Sequence, residues 1–233
     1  MKNKNRLENE VNNWYDKIPK SLLTKYNNPG YGKTHEISVP FRCCIVGASG
    51  SRKTTTAIEI LYRMNGTFGL VIICCMSDDE PLYKYLRTKI PEEQIRFYEG
   101  YDNIPELASL PTDTQILIIF DDLVLEKKQD KILQYFIRAR KHGKSVSCMY
   151  LTQSYFNTPK IIRLNSNYII VRKVGSSRDL NLMLRDFSLG LERDELFKMY
   201  EYATSTDNDF LMIDIGAEPD KKYRKSFFEI IKV

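Results

Sequence analysis

Residues 41–54 read FRCCIVGASGSRKT. An apolar, β-branched run from Phe41 to Val46 passes straight into the small residues Gly47, Ala48, Ser49, Gly50 and Ser51, and Lys53 and Thr54 follow. A helical pattern starts there, with Ala57, Ile58, Leu61 and Met64 spaced for one face of a helix over 53–64. Strand, small-residue loop and helix in that order make the setting of a phosphate-binding P-loop. Its backbone N–H groups converge on one point, and the helix N-terminus adds about half a positive charge. In that setting Lys53 reaches the outer phosphates and the Thr54 hydroxyl ligates Mg2+, with Thr55 completing the nucleotide-binding set. One position departs from G-x-x-x-x-G-K-[ST]: Arg52 stands where the pattern has glycine. Gly32-Lys33-Thr34 repeats the ending without the rest. No apolar strand precedes it, and Asn27-Asn28-Pro29-Gly30 marks that stretch as a loop.

Working outward, apolar runs alternate with helical patterns. Strands are predicted at 41–46, 70–76, 95–98, 116–120, 146–151 and 168–172, and the run 70–76 is continuously apolar as parallel strands buried on both faces are. Helices are predicted at 81–88, near 103–109, and at 127–141, 159–164, 177–186 and 192–202. Strands at 210–215 and 223–232 read as a C-terminal antiparallel hairpin. The pattern gives an α/β fold: a P-loop NTPase with a largely parallel central sheet flanked by helices. Residues 1–36 read as a polar N-terminal extension, partly helical around Leu7, Val11, Trp14 and Tyr15, and 37–233 as the P-loop ATPase domain.

The strand at 116–120 ends in Asp121-Asp122, at the sheet edge where open α/β sheets bind ligands. Asp121 suits Mg2+, directly or through water, and Asp122 suits the attacking water. A surface Asp-Asp turn is the plainer reading of the pair alone, and the P-loop upstream argues against it. The strand at 146–151 ends in Thr152-Gln153, where the amide either bonds the γ-phosphate or lytic water or simply caps the strand. Arg138, Arg140, Lys141, His142 and Lys144 form a basic cluster before that strand. Arg140 there is either a helix C-terminal cation or an arginine that enters a neighbouring subunit's site, and Arg163 is the second candidate. Lys221, Lys222, Arg224 and Lys225 read as solvated surface, with contact to DNA phosphates as the alternative.

Composition sets outer limits. The chain has 233 residues, 42% hydrophobic, and a net charge of +5, enough for one sizeable core and a mild basic excess that permits a nucleic-acid partner. There is no apolar run of ~18 residues, so no membrane-spanning helix is expected. The first residues, MKNKNRLENE, lack the apolar core of a signal peptide. Cys43, Cys44, Cys74, Cys75 and Cys148 all fall in strands. Adjacent cysteines on a strand face opposite ways, so these read as reduced, buried small hydrophobes of an intracellular protein, not metal ligands.

Together GASGSRKTT, ILIIFDD, ARKHGKS and YLTQS resemble the DNA-packaging ATPases of double-stranded DNA viruses. The branch is that of poxviruses, giant viruses and virophages within the FtsK–HerA superfamily. The resemblance runs from about Phe41 to the C-terminus. It implies ATP and Mg2+ as cofactors, double-stranded DNA as partner, and a homo-oligomeric ring working against a capsid or portal component. The implied location is host cytoplasm or viral factory, with association to the virion as a further option. The length after the ATPase core leaves no room for a nuclease domain, so DNA cutting is not expected. Two alternatives stay open: an ATPase of the same fold acting in replication or DNA transfer, and a degenerate nucleotide-binding interaction protein.

Overall fold

The computed structural model describes residues 11–123, 128–187 and 191–232. The first core strand, β1 (Arg42–Val46), leads through the small-residue loop into α1 (Lys53–Arg63). β2 (Leu70–Cys75), α2 (Pro81–Lys89) and β3 (Ile95–Glu99) follow, then β4 (Ile116–Asp121), α3 (Asp130–Arg138) and β5 (Val146–Thr152). After α4 (Lys160–Asn165) and β6 (Tyr168–Val171) come α5 (Ser177–Phe187) and α6 (Arg193–Ala203). The described chain closes with β7 (Leu211–Asp214), β8 (Tyr223–Lys225) and β9 (Glu229–Ile230).

The strands form one sheet in the order β3-β2-β4-β5-β1-β6-β7-β8-β9. β3 through β6 in that order are parallel, and β7, β8 and β9 join antiparallel. Parallel pairing explains the unbroken apolar runs, because each such strand is covered on both faces. Alternate side chains feed two separate cores. Cys44, Val46, Ile72, Ile118, Phe120 and Tyr150 pack with the α3, α5 and α6 side. Cys43, Ile45, Ile73, Leu117, Ile119 and Met149 pack with α1 and α2. All five cysteines are buried free thiols, and burial pushes those of Cys44 and Cys75 up to about 12.

Several elements differ from the sequence expectation. The helix near 103–109 shrinks to a 3-10 turn at Leu107–Ser109, and the one over 127–141 to α3 plus a 3-10 turn at Ala139–Lys141. The start of that expected helix lies outside the described residues. On α1 the fully buried side chains are Ala57, Ile60 and the following Met64, while Ile58 and Leu61 are only half-buried. Of the expected amphipathic helix around Leu7, Val11, Trp14 and Tyr15, the described residues show a 3-10 turn at Trp14–Lys17 with Val11, Trp14 and Tyr15 exposed, and Leu7 lies outside them. The expected C-terminal antiparallel hairpin is present as β7 and β8, and it extends into a meander because β7 also pairs antiparallel with β6 and β9 with β8. Its last expected strand is interrupted at Ser226, whose φ of 55° turns the backbone out of extension.

The C-terminal basic group is absorbed by the fold. Arg224 is buried between Glu36 (2.8 Å) and Asp214 (2.6 Å). Lys222 donates to the Phe187 carbonyl, and Lys225 pairs with Asp209 at 3.4 Å. Only Lys221 of the four is exposed.

Candidate functional site

Register brings the ends of five parallel strands to one edge. Val46 of β1 lies opposite Thr152 of β5 and Val171 of β6, and Asp121 of β4 lies opposite Leu151 and Cys75. The loop after β1 hangs from its neighbours: Gly47 N–H donates to Thr152 O and Ala48 N–H to Lys173 O. Gly47 is required by space, since a Cβ there would sit 2.4 Å from Ser51 Oγ and 2.6 Å from Arg172 Cβ. Gly50 is required by conformation, with φ +72°. The loop ends on Arg52, also left-handed at φ 67°, ψ 34°, as the N-cap of α1.

Lys53 opens α1 and is almost buried. Its ammonium donates to the Ala48 carbonyl at 3.0 Å, back across the loop. Burial lowers its pKa, while Asp122 and Asp121 oppose this by holding the charge. One residue on, Thr54 Oγ1 donates to Asp121 Oδ2 at 3.1 Å. The hydroxyl of Tyr83, from α2, donates to the same oxygen. Burial raises the Asp121 carboxyl above the ordinary range, and the Tyr83 and Thr54 hydroxyls pull it back. Asp122 adopts a left-handed φ of 58°. Its two carboxylate oxygens accept from Gln153 Nε2 at 3.0 and 3.2 Å. Lys53, Thr54, Asp121, Asp122 and Gln153 thus meet at one edge, with the P-loop above them.

Mg2+ fits this donor set. Thr54 and Asp121 offer hard oxygen ligands already in contact. Among the described residues no group of three His, Cys, Asp or Glu side chains could hold an ion alone. That suits a metal that keeps waters and draws on substrate phosphates.

Arg52, Arg140 and Arg163 lie elsewhere. The Arg52 guanidinium donates to Asn208 Oδ1, on the flank of the loop where Arg172 and Asp207 also lie. Arg163 is engaged within its own chain, with Asp186 at 3.2 Å, the Thr158 carbonyl, and the Tyr155 ring beneath it. Arg140 is exposed, has no ion-pair partner among the described residues, and sits before β5 begins, at the edge opposite the P-loop. It is held near Arg42, a second cation.

Three contributors were not legible in sequence. Tyr83 sits in an ordinary helical pattern with nothing to single it out. Arg172, directly after β6, is buried. It donates to the carbonyls of Ser51 (2.8 Å), Asn208 (3.1 Å), Asp209 (2.8 Å) and Asp207, stapling the P-loop to the 207–209 loop. A charged residue directly after an apolar strand is the one signal that could have found it. The 207–209 loop itself had none.

A P-loop closing a parallel sheet, a lysine inside it and paired carboxylates at the next strand but one define a P-loop nucleotide-binding protein. The family model for the poxvirus A32 protein matches residues 31–215, and the chain belongs to that family. Among solved structures, the genome packaging NTPase B204 of Sulfolobus turreted icosahedral virus 2 in complex with sulfate is similar. It has a TM-score of 0.58 and 13% identity over 84% of this chain and 100% of that one. The same NTPase with ATP-gammaS gives 0.55 and 15%, over 84% and 100%. The cytoplasmic domain of the Thermomonospora curvata type VII secretion ATPase EccC gives 0.53 and 13%, over 82% of this chain and 25% of that one. These likenesses establish the fold. No curated protein sequence matches.

Proposed function

We propose that this chain is an ATPase whose hydrolysis drives double-stranded DNA into a viral capsid. The observation that carries the reading is the contact of Thr54 with Asp121 beside the Asp122–Gln153 pair, all below a glycine-bearing loop that holds Lys53. Membership of the poxvirus A32 family supports the packaging role. Among the described residues no helix is long and apolar enough to cross a membrane.

The P-loop amides and the α1 N-terminus receive the phosphate chain, and Lys53 exchanges its bond to Ala48 for the outer phosphates. Thr54 and Asp121 would hold Mg2+, which when bound neutralises charge on the phosphates. Asp122 orients the attacking water. Gln153, bonded to both its oxygens, sets that carboxylate's position and releases it when a terminal phosphate competes for the amide. Among the described residues no arginine is hydrogen-bonded or ion-paired to Lys53, Thr54, Asp121, Asp122 or Gln153. Arg140, exposed and without an ion-pair partner among the described residues, is therefore assigned to the site of a neighbouring copy, whereas Arg163 is spent on Asp186. This needs a homo-oligomeric ring, working with a capsid or portal component at the viral factory or on the virion.

The test is ATPase rate with and without linear double-stranded DNA, for the parent and for Asp122→Asn. The parent is stimulated by DNA, and Asp122→Asn binds Mg·ATP with little turnover. A parent rate indifferent to DNA would count against the motor, and full turnover by Asp122→Asn against the assigned water-orienting group.

A further inference from the structure

The sheet order fixes which way a nucleotide must lie. β4 and β5, which carry Asp121, Asp122 and Gln153, are on one side of β1, and β6 and β7 are on the other. The reacting phosphate end faces the first side. The nucleoside end therefore leaves the P-loop toward β6 and β7.

Two adjoining clefts lie there. One, of about 300 Å3, lies between the P-loop and Lys173 and Asp207. The other, of about 410 Å3, runs from Thr55 and Glu59 to Asn208 and Phe227. Arg52, Arg172 and Asp207 line both. The Arg172 staple fixes the 207–209 backbone against the P-loop, so the clefts are built before any ligand arrives. Arg52, Arg172 and Lys173 line the first cleft beside Asp207, but their charged ends are engaged, Arg52 by Asn208, Arg172 by backbone carbonyls and Lys173 by Asp207 itself. Asp207 is an exposed carboxylate, paired with Lys173 at 2.7 Å. A carboxylate beside an anion-binding loop repels phosphate, but it accepts hydrogen bonds from hydroxyls and amines.

We propose that the 207–209 loop is the nucleoside-binding part of the site, with Asp207 accepting from the ribose hydroxyls and Asn208 facing the base. This rests on the P-loop reading above and adds residues far from it in sequence.

The substitutions are Asp207→Ala and Asn208→Ala in the full chain. Asp207→Ala keeps the backbone carbonyl that Arg172 uses, so the staple survives. Binding of ATP, 2′-deoxy-ATP and inorganic tripolyphosphate is measured by competition against a fluorescent ATP analogue. Asp207→Ala is expected to weaken ATP by about tenfold, to leave tripolyphosphate unchanged and to abolish the parent's preference for ATP over 2′-deoxy-ATP. Asn208→Ala is expected to weaken ATP without touching tripolyphosphate. Equal weakening of ATP and tripolyphosphate would mean the loop only supports the P-loop, and no change in either would place the nucleoside elsewhere. Both results overturn the proposal. Lys53→Ala, which must weaken both ligands, separates the two readings: if the parent binds neither ATP nor tripolyphosphate, the P-loop reading itself fails and the subsite with it.

Discussion

Replacing Arg52 by glycine and by alanine separates backbone strain from side-chain bonding. At φ 67°, ψ 34° this non-glycine residue occupies the left-handed region, which costs a side-chain-bearing residue ~1–2 kcal/mol. The bond to Asn208 offsets part of that, contributing about 1 kcal/mol as a surface hydrogen bond. Arg52→Ala keeps the strain and loses the bond, so it should destabilise by about 1 kcal/mol. Arg52→Gly loses the bond but relieves the strain, less ~0.4–1 kcal/mol for the freer unfolded chain. It should end near the parent and about 0.5–1 kcal/mol above the alanine variant. For a chain of this size that is roughly 2 °C in Tm, readable by scanning calorimetry or by urea midpoints. The guanidinium is engaged by Asn208, so tripolyphosphate affinity should stay within about threefold of the parent in both. An alanine variant as stable as the glycine one would refute the strain argument. A large loss of tripolyphosphate affinity in both would show the guanidinium turned onto the phosphates.

Tyr83→Phe removes one hydroxyl from Asp121 and keeps the ring packed on Phe97, at 5.8 Å between centroids. The Mg2+ concentration for half-maximal ATPase should rise about tenfold, while nucleotide binding in chelator stays unchanged; loss of both equally would point to simple misfolding. Asp121→Asn should abolish metal-dependent turnover yet stabilise the fold at pH 7. The folded carboxyl titrates above its unfolded value of about 3.9, so parent stability falls as pH rises through that window and the asparagine variant is spared. The stability difference must shrink as pH drops toward 4, and a pH-independent difference would contradict it. Gly47→Ala drives a methyl to 2.4 Å from Ser51 Oγ, so ATP affinity should fall by more than about tenfold, with ~1–3 kcal/mol of destabilisation. Rings mixed from Lys53→Ala and Arg140→Ala subunits should regain activity that neither has alone; absence of recovery in rings proven mixed would remove Arg140 from the shared site.

The phosphate half of the site was legible because it is local. Gly47 to Thr55 are consecutive, and the strand before them and the helix after them announce their own geometry. Asp121, Asp122 and Gln153 were legible because strand ends in a parallel sheet share one edge whatever the strand order. Order itself was not legible, and with it went the side of β1 on which a nucleoside would lie. Tyr83 touches Asp121 across 38 residues and Arg172 touches Ser51 across 121. Contacts of that span leave no mark on hydrophobic periodicity. The C-terminal basic group misled for the same reason: Lys222 and Arg224 look solvated until Glu36, Asp214 and the Phe187 carbonyl are placed beside them.

The two left-handed non-glycine residues of the site have a common logic. Arg52 and Asp122 each follow directly on the element that carries phosphate or metal chemistry, and each holds a φ that a side chain disfavours. Each is tied by its side chain to a residue distant in sequence, Asn208 for one and Gln153 for the other. The ties run to opposite sides of β1, one toward β7 and one to the end of β5. On the proposed reading, a nucleotide lying across β1 that competed for Asn208 or Gln153 would release the strained residue each of them holds, so the two left-handed positions should respond to different ends of the ligand.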